Sequence, residues 1–192
     1  MRGHVLLLTG PPGVGKTTVI RTVAQRLAGR RLAGFYTEEI RVRGERRGFA
    51  LVTFDGRRAV IAHAGDRHPH HAHHPRVGKY AVDVAVIDTM ARSTLAPAAV
   101  DLYLVDEIGK MECLSREFVT AMRARLDGDV PMVATVGQRG GEFIEEVKGR
   151  PDAERWDVTR ANRDDVPGRV LDWIERHASG QNGSAPRRGR TG

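Results

Sequence analysis

The stretch Gly10-Pro11-Pro12-Gly13-Val14-Gly15-Lys16-Thr17 matches every fixed position of the phosphate-binding loop pattern G-x-x-x-x-G-K-[ST]. It follows the apolar run Val5–Leu8 and leads into a helix-like segment that begins with Thr18. A strand, a glycine-rich loop and a helix in this order point successive backbone N–H groups at an anion. The lysine can span the β- and γ-phosphates, and the threonine hydroxyl can contact Mg²⁺. The stretch therefore predicts that the chain binds a nucleoside triphosphate.

A pair of carboxylates, Asp106 and Glu107, follows the apolar run Leu102–Val105. An aspartate at the carboxyl end of a strand can hold Mg²⁺, and in open α/β sheets this edge is where ligands bind, so we expect Asp106 beside the phosphate loop. Glu107 can orient and deprotonate a water molecule, which favours hydrolysis over transfer to an acceptor hydroxyl. Alternation along a strand would put the two side chains on opposite faces. We therefore expect the backbone to leave regular strand geometry here, and Gly109 would permit it.

Apolar strand-like runs alternate with amphipathic helical segments, which predicts a largely parallel sheet with flanking helices. Three strand-like runs between residues 34 and 63, with a hairpin signal at Asp55-Gly56, predict a small antiparallel patch. The predicted helices span residues 16–28, 82–96, 115–126, 141–148 and 165–177, and the other strands span 4–9, 102–105, 130–136 and 155–159. We expect one domain over residues 1–178 and a disordered basic tail over 179–192.

Length and composition narrow the class of protein. A chain of 192 residues that is 40% hydrophobic and 29% charged is typical of a single globular domain. No apolar stretch approaches the length that spans a bilayer, and the first strand follows the N-terminus too closely for a signal peptide. The single cysteine, Cys113, cannot form an internal disulfide, which fits a reducing compartment. We therefore expect a cytoplasmic monomer with no membrane partner.

The net charge of +7 raises the possibility of a nucleic-acid partner. Several of the arginines lie in the tail, however, and the others alternate with acidic residues as on a solvated surface. No motif that combines aromatic and basic residues for RNA binding is present. We therefore expect no nucleic-acid partner.

Five histidines occur within the segment His68–His74. Neutral imidazoles at this density can chelate zinc or nickel. The segment also contains prolines and lacks the helical spacing that would fix a tetrahedral geometry. We interpret it as a solvated loop with opportunistic affinity for metals.

Five motifs occur in a fixed order along the chain, namely Gly10–Thr18, Gly34–Arg41, Arg76–Tyr80, Val105–Glu112 and Val158–Asp164. Together they resemble the cancer-related nucleoside-triphosphatase family over residues 4–175. The resemblance implies a three-layer α/β fold of the P-loop NTPase class, RecA-like, with a mostly parallel sheet and a small antiparallel extension. It also implies Mg²⁺-dependent hydrolysis of ATP, GTP, CTP and UTP to a diphosphate and phosphate.

The resemblance assigns roles to residues by motif. It implies that Lys16 and Thr17 serve the phosphates and the metal, that Asp106 also holds the metal, and that Glu107 serves the attacking water. The full set of nucleotide-binding residues that we expect is Gly10, Pro11, Pro12, Gly13, Val14, Gly15, Lys16, Thr17, Thr18, Asp106, Glu107, Ile108 and Gly109.

A cation that stabilises the transition state is also expected in a phosphate-transferring site. Lys110 follows the carboxylate pair and could supply this charge from within the chain. Arg139, Arg150 and Arg163 compete for the same role. Of these three we favour Arg163, because it lies inside the last of the five motifs.

Two other functions stay open at the level of the sequence. A small nucleoside or metabolite kinase would use the same phosphate loop, with residues 34–80 holding the acceptor. The Asp106-Glu107 pair and the lack of an arginine-rich lid argue against it. A nucleotide-gated, RNA-associated switch has only the basic tail in its favour.

Overall fold

The computed structural model describes residues 4–65 and 74–178. The expectations for the tail, residues 179–192, and for all but the last histidine of the His68–His74 segment lie outside the described residues. No helix in the described part of the chain is both long and apolar enough to cross a membrane.

The described residues form nine strands and five helices. The strands are β1 (Val5–Thr9), β2 (Leu32–Val42), β3 (Glu45–Thr53), β4 (Arg58–Ala64), β5 (Arg76–Val77), β6 (Tyr80–Val82), β7 (Leu102–Ile108), β8 (Met132–Val136) and β9 (Ala153–Asp157). The helices are α1 (Lys16–Arg26), α2 (Val84–Thr94), α3 (Arg116–Leu126), α4 (Glu142–Lys148) and α5 (Val166–Ala178), and a 3-10 turn covers Glu112–Leu114.

The strands form one mixed sheet in the order β5-β6-β4-β3-β2-β7-β8-β1-β9. Five strands run parallel to one another, in the order β2, β7, β8, β1 and β9. Strand β8 thus separates β7 from β1. The strands from β2 through β3 and β4 to β6 and β5 pair antiparallel. The predicted fold class is confirmed, and the antiparallel extension holds four strands beyond β2.

The helices cover both faces of the sheet. The apolar residues of α1 and α5 pack with Leu6 and Leu8 of β1 on one face. The apolar residues of α2, α3 and α4 pack with Val5 and Leu7 of the same strand on the other face. The uninterrupted apolar run of β1 is thus explained, because a parallel strand between two helical layers is buried on both sides.

Strands β2 and β9 differ in their bounds from the sequence prediction, and the short strands β5 and β6 were not predicted. Strand β2 continues to Val42, well past the apolar run from Gly34 to Thr37. Its second half has polar side chains, and its pairing with β3 supplies the hydrogen bonds that extend it. The last strand lies at Ala153–Asp157 rather than at residues 155–159, because its register is set by β1.

Gly34 marks the closest approach between β2 and β7. It has φ +106°, and a Cβ at this position would lie 1.9 Å from the carbonyl oxygen of Leu104. Any side chain here must therefore push apart two strands that pair in parallel through these same two residues.

Gly34→Ala should therefore lower the free energy of unfolding by more than the ~1–3 kcal/mol typical of backbone strain alone. Gly29→Ala is the matched control, because Gly29 has φ +96° and no atom lies within 4 Å of its virtual Cβ. Urea unfolding of both variants measures the difference. Equal losses of stability would show that the Gly34–Leu104 contact is not limiting.

Candidate active site

The phosphate loop joins β1 to α1 and is shaped by its glycines. Gly10 has φ +152°, and a Cβ there would lie 2.4 Å from the carbonyl oxygen of Val158. Gly15 has φ +113° and directly precedes the helix. The loop therefore packs closely against the segment after β9 and then turns sharply into α1.

The first turn of α1 carries Lys16, Thr17 and Thr18. No side chain caps the N-terminus of this helix within the described structure, so its first backbone N–H groups are available to an anion. The Lys16 ammonium donates to the carbonyl oxygens of Gly10 at 2.8 Å and Pro11 at 3.4 Å. The lysine thus lies folded over the loop that precedes it.

Asp106, at the carboxyl end of β7, is fully buried and held by two threonines. The Thr37 hydroxyl of β2 donates to its Oδ2 at 3.0 Å, and the Thr135 hydroxyl of β8 donates to its Oδ1 at 2.7 Å. Its side chain is 1% exposed. Buried carboxylates need such partners, and two donors from opposite sides fix the orientation of this one.

Glu107 points into a cavity beside the phosphate loop. The pairing of β7 with β8 shifts register between Val105 and Ile108, and the peptide bond between Asp106 and Glu107 is cis. The expected departure from regular strand geometry is confirmed, and it occurs before Gly109 rather than at it. Burial raises the pKa of Glu107 and the charge of Asp106 raises it further, while Lys16 opposes both effects.

The cavity has a volume of about 580 Å³ and two walls. One wall comes from the phosphate loop and α1, and the other comes from the hairpin formed by β2 and β3. Its lining residues are Pro12, Gly13, Gly15, Lys16, Thr17, Thr18, Arg21, Thr37, Glu38, Glu39, Arg46, Phe49 and Glu107. The structure therefore brings Glu107 together with Lys16 and Thr17, as the sequence analysis expects.

The other expected nucleotide-binding residues surround this cavity without lining it. Pro11 and Val14 line a neighbouring cavity of about 320 Å³, whose opposite side is Thr159 and Arg160. Ile108 and Gly109 are buried beyond the carboxylate pair.

The two candidates for a transition-state cation lie elsewhere. Lys110 is exposed and is absent from the cavity lining. The Cδ atom of Arg163 lies 3.7 Å from the position that a Cβ on Gly15 would take, so this arginine packs on the phosphate loop but also stays outside the lining. Of the alternatives, Arg150 pairs with Asp127 and Asp152 at 2.7 Å each.

Sequence reasoning missed four residues that shape the site: Thr37, Thr135, Arg21 and Arg46. Thr135 did carry a signal, since it is a polar residue inside the apolar strand β8 and is fully buried. Thr37 and Arg46 come from the hairpin, and Arg21 lies one turn beyond the first turn of α1. Only the sheet order shows that these elements meet.

Comparison with known proteins shows the family to which the chain belongs. The family model described as NTPase matches residues 5–171, a span that includes the phosphate loop and the carboxylate pair. The chain belongs to this nucleoside-triphosphatase family. The family assignment made from the five motifs is confirmed.

Relatives of this nucleoside-triphosphatase family member occur in bacteria, archaea and animals. Nucleoside-triphosphatase THEP1 of Thermotoga maritima is 36% identical over 86% of this chain and 92% of its own. THEP1 of Methanopyrus kandleri is 38% identical over 90% of this chain and 98% of its own. The human cancer-related nucleoside-triphosphatase is 37% identical over 85% of this chain and 92% of its own.

Two solved structures of the same family share the fold. The crystal structure of THEP1 from Aquifex aeolicus superposes with a TM-score of 0.77 at 31% identity, covering 89% of this chain and 99% of that one. The solution structure of the human cancer-related nucleoside triphosphatase has a TM-score of 0.75 at 32% identity, covering 96% and 100%.

This nucleoside-triphosphatase family member holds another buried carboxyl group, that of Glu112, close to the site. Its Oε2 lies 2.8 Å from where a Cβ on Gly109 would be, and its residue is 5% exposed. Burial, with a further contribution from the charges of Glu107 and Asp106, raises the pKa of Glu112 to about 8 against the opposing effect of backbone hydrogen bonds at Glu112 and Gly109. The group is therefore protonated in the folded protein at neutral pH.

Glu112→Gln should become more stable than the wild type as the pH rises from about 5 to about 8. In this window the unfolded chain has lost the proton, at an ordinary pKa of 4.5, while the folded protein still binds it. Stability falls with rising pH wherever the folded state binds more protons, so the wild type loses stability that the neutral glutamine retains. Urea unfolding at several pH values measures the difference.

Glu117→Gln is the control, because it removes an exposed carboxylate at the start of α3. If the difference in the free energy of unfolding between the wild type and Glu112→Gln stays constant between pH 5 and 9, the pKa of Glu112 is not raised.

Proposed function

We propose that the chain hydrolyses nucleoside 5′-triphosphates to a diphosphate and inorganic phosphate, with Glu107 as the base that activates water. The observation that carries this proposal is the contrast between two adjacent carboxylates. Asp106 is buried and accepts a hydrogen bond from a threonine hydroxyl on each oxygen, whereas Glu107 lines the cavity with Lys16. Neighbouring acids in unlike environments take different roles, one structural or metal-binding and one in proton transfer.

The names of the relatives support the same reaction. The proteins from Thermotoga maritima, Methanopyrus kandleri and human are each named nucleoside-triphosphatases. The family model matches residues 5–171, a span that includes every element that forms the cavity.

The proposed step is a displacement at the γ-phosphorus. A water oxygen forms a bond to phosphorus, the bond to the β,γ-bridging oxygen breaks, and the water proton passes to the Glu107 carboxylate. The raised pKa of Glu107 makes its carboxylate a stronger base than an exposed one. Lys16 and the N-terminal amides of α1 hold the phosphates while charge moves to the leaving diphosphate.

The residues present fit a Mg²⁺ ion. Mg²⁺ binds hard oxygen ligands, commonly one or two carboxylates together with substrate phosphates. Asp106 and the Thr17 hydroxyl offer such oxygens, and Asp106 is rigidly oriented. No cluster of three or more metal-ligating side chains occurs in the part of the chain that is described, so phosphate oxygens would complete the coordination. Such an ion supplies charge neutralisation between the phosphates.

Inorganic phosphate release should be measured with ATP, GTP, CTP and UTP, without any added acceptor. The wild type should release phosphate, and Glu107→Gln should bind nucleotide normally but turn over slower by a factor of ~10² or more, because it cannot take the water proton. Glu38→Gln removes the same charge from the opposite wall and should cost far less. Nucleotide binding without release until a hydroxyl acceptor is added would point to a kinase and contradict the proposal.

A second experiment should distinguish the role of the metal from that of Lys16. Thr17→Val should raise the Mg²⁺ concentration needed for half-maximal turnover by about tenfold or more, because a metal ligand is lost. Lys16→Ala should weaken nucleotide binding and turnover together at every Mg²⁺ concentration. Titration with a nucleotide analogue at fixed Mg²⁺ measures binding. Turnover that persists in EDTA would contradict the role of the metal.

A further inference from the structure

We propose that Arg46, on the β2–β3 hairpin, contacts the γ-phosphate and supplies the positive charge that stabilises the transition state. This inference rests on the proposed hydrolysis and names a further catalytic residue for it. The hairpin would then act within one chain as an arginine finger does between two proteins.

Arg46 lies on the wall of the cavity that the β2–β3 hairpin forms. The β2–β3 hairpin contributes Thr37, Glu39, Arg46 and Phe49 to the lining, opposite the phosphate loop. Thr37 also holds Asp106, so this wall is tied directly to the carboxyl end of β7. A triphosphate that enters the cavity would have the loop on one side and the hairpin on the other.

The guanidinium group of Arg46 has unused hydrogen-bonding capacity. Its Nη2 is paired with Glu39, and its centre lies 5.5 Å from the centroid of the Phe49 ring. Its Nε is buried and has no hydrogen-bond partner among the described residues. A buried donor without a partner is costly, and if the Arg46 side chain turned into the cavity a phosphate oxygen would satisfy it. The planar fork of an arginine also matches a phosphate in a bidentate fashion.

Arg46 can leave Glu39 and contact a phosphate without leaving that carboxylate unpaired. The guanidinium of Arg41 donates to Glu39 Oε2 at 2.9 and 2.6 Å, while Arg46 pairs with Oε1. If Arg46 turns to the substrate, Arg41 still neutralises Glu39. The hairpin therefore holds Arg46 beside the cavity without leaving a bare carboxylate when it moves.

The other cations near the site either lie on the α1 side of the cavity or stay outside its lining. Within the described chain, Arg21 is the second arginine of the lining, but it lies on the α1 wall with its guanidinium 5.0 Å from the Tyr36 ring. Lys16 serves the phosphates from the loop. Lys110 and Arg163 do not line the cavity. Arg46 is thus the arginine that the hairpin contributes to the lining.

The charge of Arg46 matters most when the β,γ bond breaks. Negative charge then spreads over the γ-phosphate oxygens and the bridging oxygen, and a fixed cation close to them lowers the barrier. No covalent bond to the arginine forms, and no proton leaves it. A diphosphate lacks the γ-phosphate, so it would gain little from this contact.

The test compares Arg46→Ala and Arg46→Lys with Arg47→Ala. Arg47 is the next residue of β3 and pairs with Glu45 at 3.0 Å, so its loss removes an equal charge from the same strand but outside the lining. For each protein we would measure kcat and KM for phosphate release, the affinities for a non-hydrolysable triphosphate and for the diphosphate, and the thermal unfolding midpoint.

Arg46→Ala should lower kcat by about 10³, the lower end of the range for arginine fingers. It should weaken binding of the triphosphate analogue by about tenfold and leave diphosphate binding within about threefold of wild type. Arg46→Lys should recover part of kcat, because it restores the charge but not the fork. Arg47→Ala should match the wild type.

Two results would overturn the inference. One is a kcat for Arg46→Ala within about threefold of wild type, and the other is an equal loss of affinity for diphosphate and triphosphate. If the wild type itself releases no phosphate, the proposed function fails, but the two binding constants still test the γ-phosphate contact. If Arg46→Ala unfolds, Arg46→Gln, which keeps most of the side-chain length but not the charge, provides the same comparison.

Discussion

The buried carboxylate of Asp106 ties together the strands on which the site depends. It accepts hydrogen bonds from Thr37, midway along β2, and from Thr135 of β8, so three adjacent strands share one charged group. Strand β8 also pairs with β1, which carries the phosphate loop. A buried charge that lost either donor would be costly. The spacing of the three strands at Asp106 is therefore fixed.

The candidate site lies where two kinds of sheet meet. The parallel half supplies the phosphate loop, the helix N-terminus and the carboxylate pair, which are the parts that bind an anion and a metal. The antiparallel half supplies a hairpin wall with its own charges, Glu38, Glu39 and Arg46. Strand β2 belongs to both halves, pairing with β7 on one side and β3 on the other. Because β2 pairs on both sides, the hairpin that it forms with β3 is fixed to the parallel half of the sheet beside the cavity.

Most of the fold could be predicted because its signals are local. The apolar run of β1, the glycines that follow it and the helical pattern from Lys16 onward specify a strand, a loop and a helix within a few residues of each other. The short strands β5 and β6 were not predicted, since two or three residues carry no periodic pattern. The length of β2 was also missed, because pairing with β3 and not its own composition extends it.

The sequence by itself determined the chemistry of the phosphate loop and the presence of Asp106 and Glu107 after a buried strand. Those features are contiguous, and their residue types carry the chemical information. Only the tertiary structure decided that Asp106 is enclosed by Thr37 and Thr135 while Glu107 lines the cavity, and that Arg46 lines the same cavity as Lys16. These residues are far apart along the chain, and their meeting depends on the order and register of the strands, which no local pattern encodes.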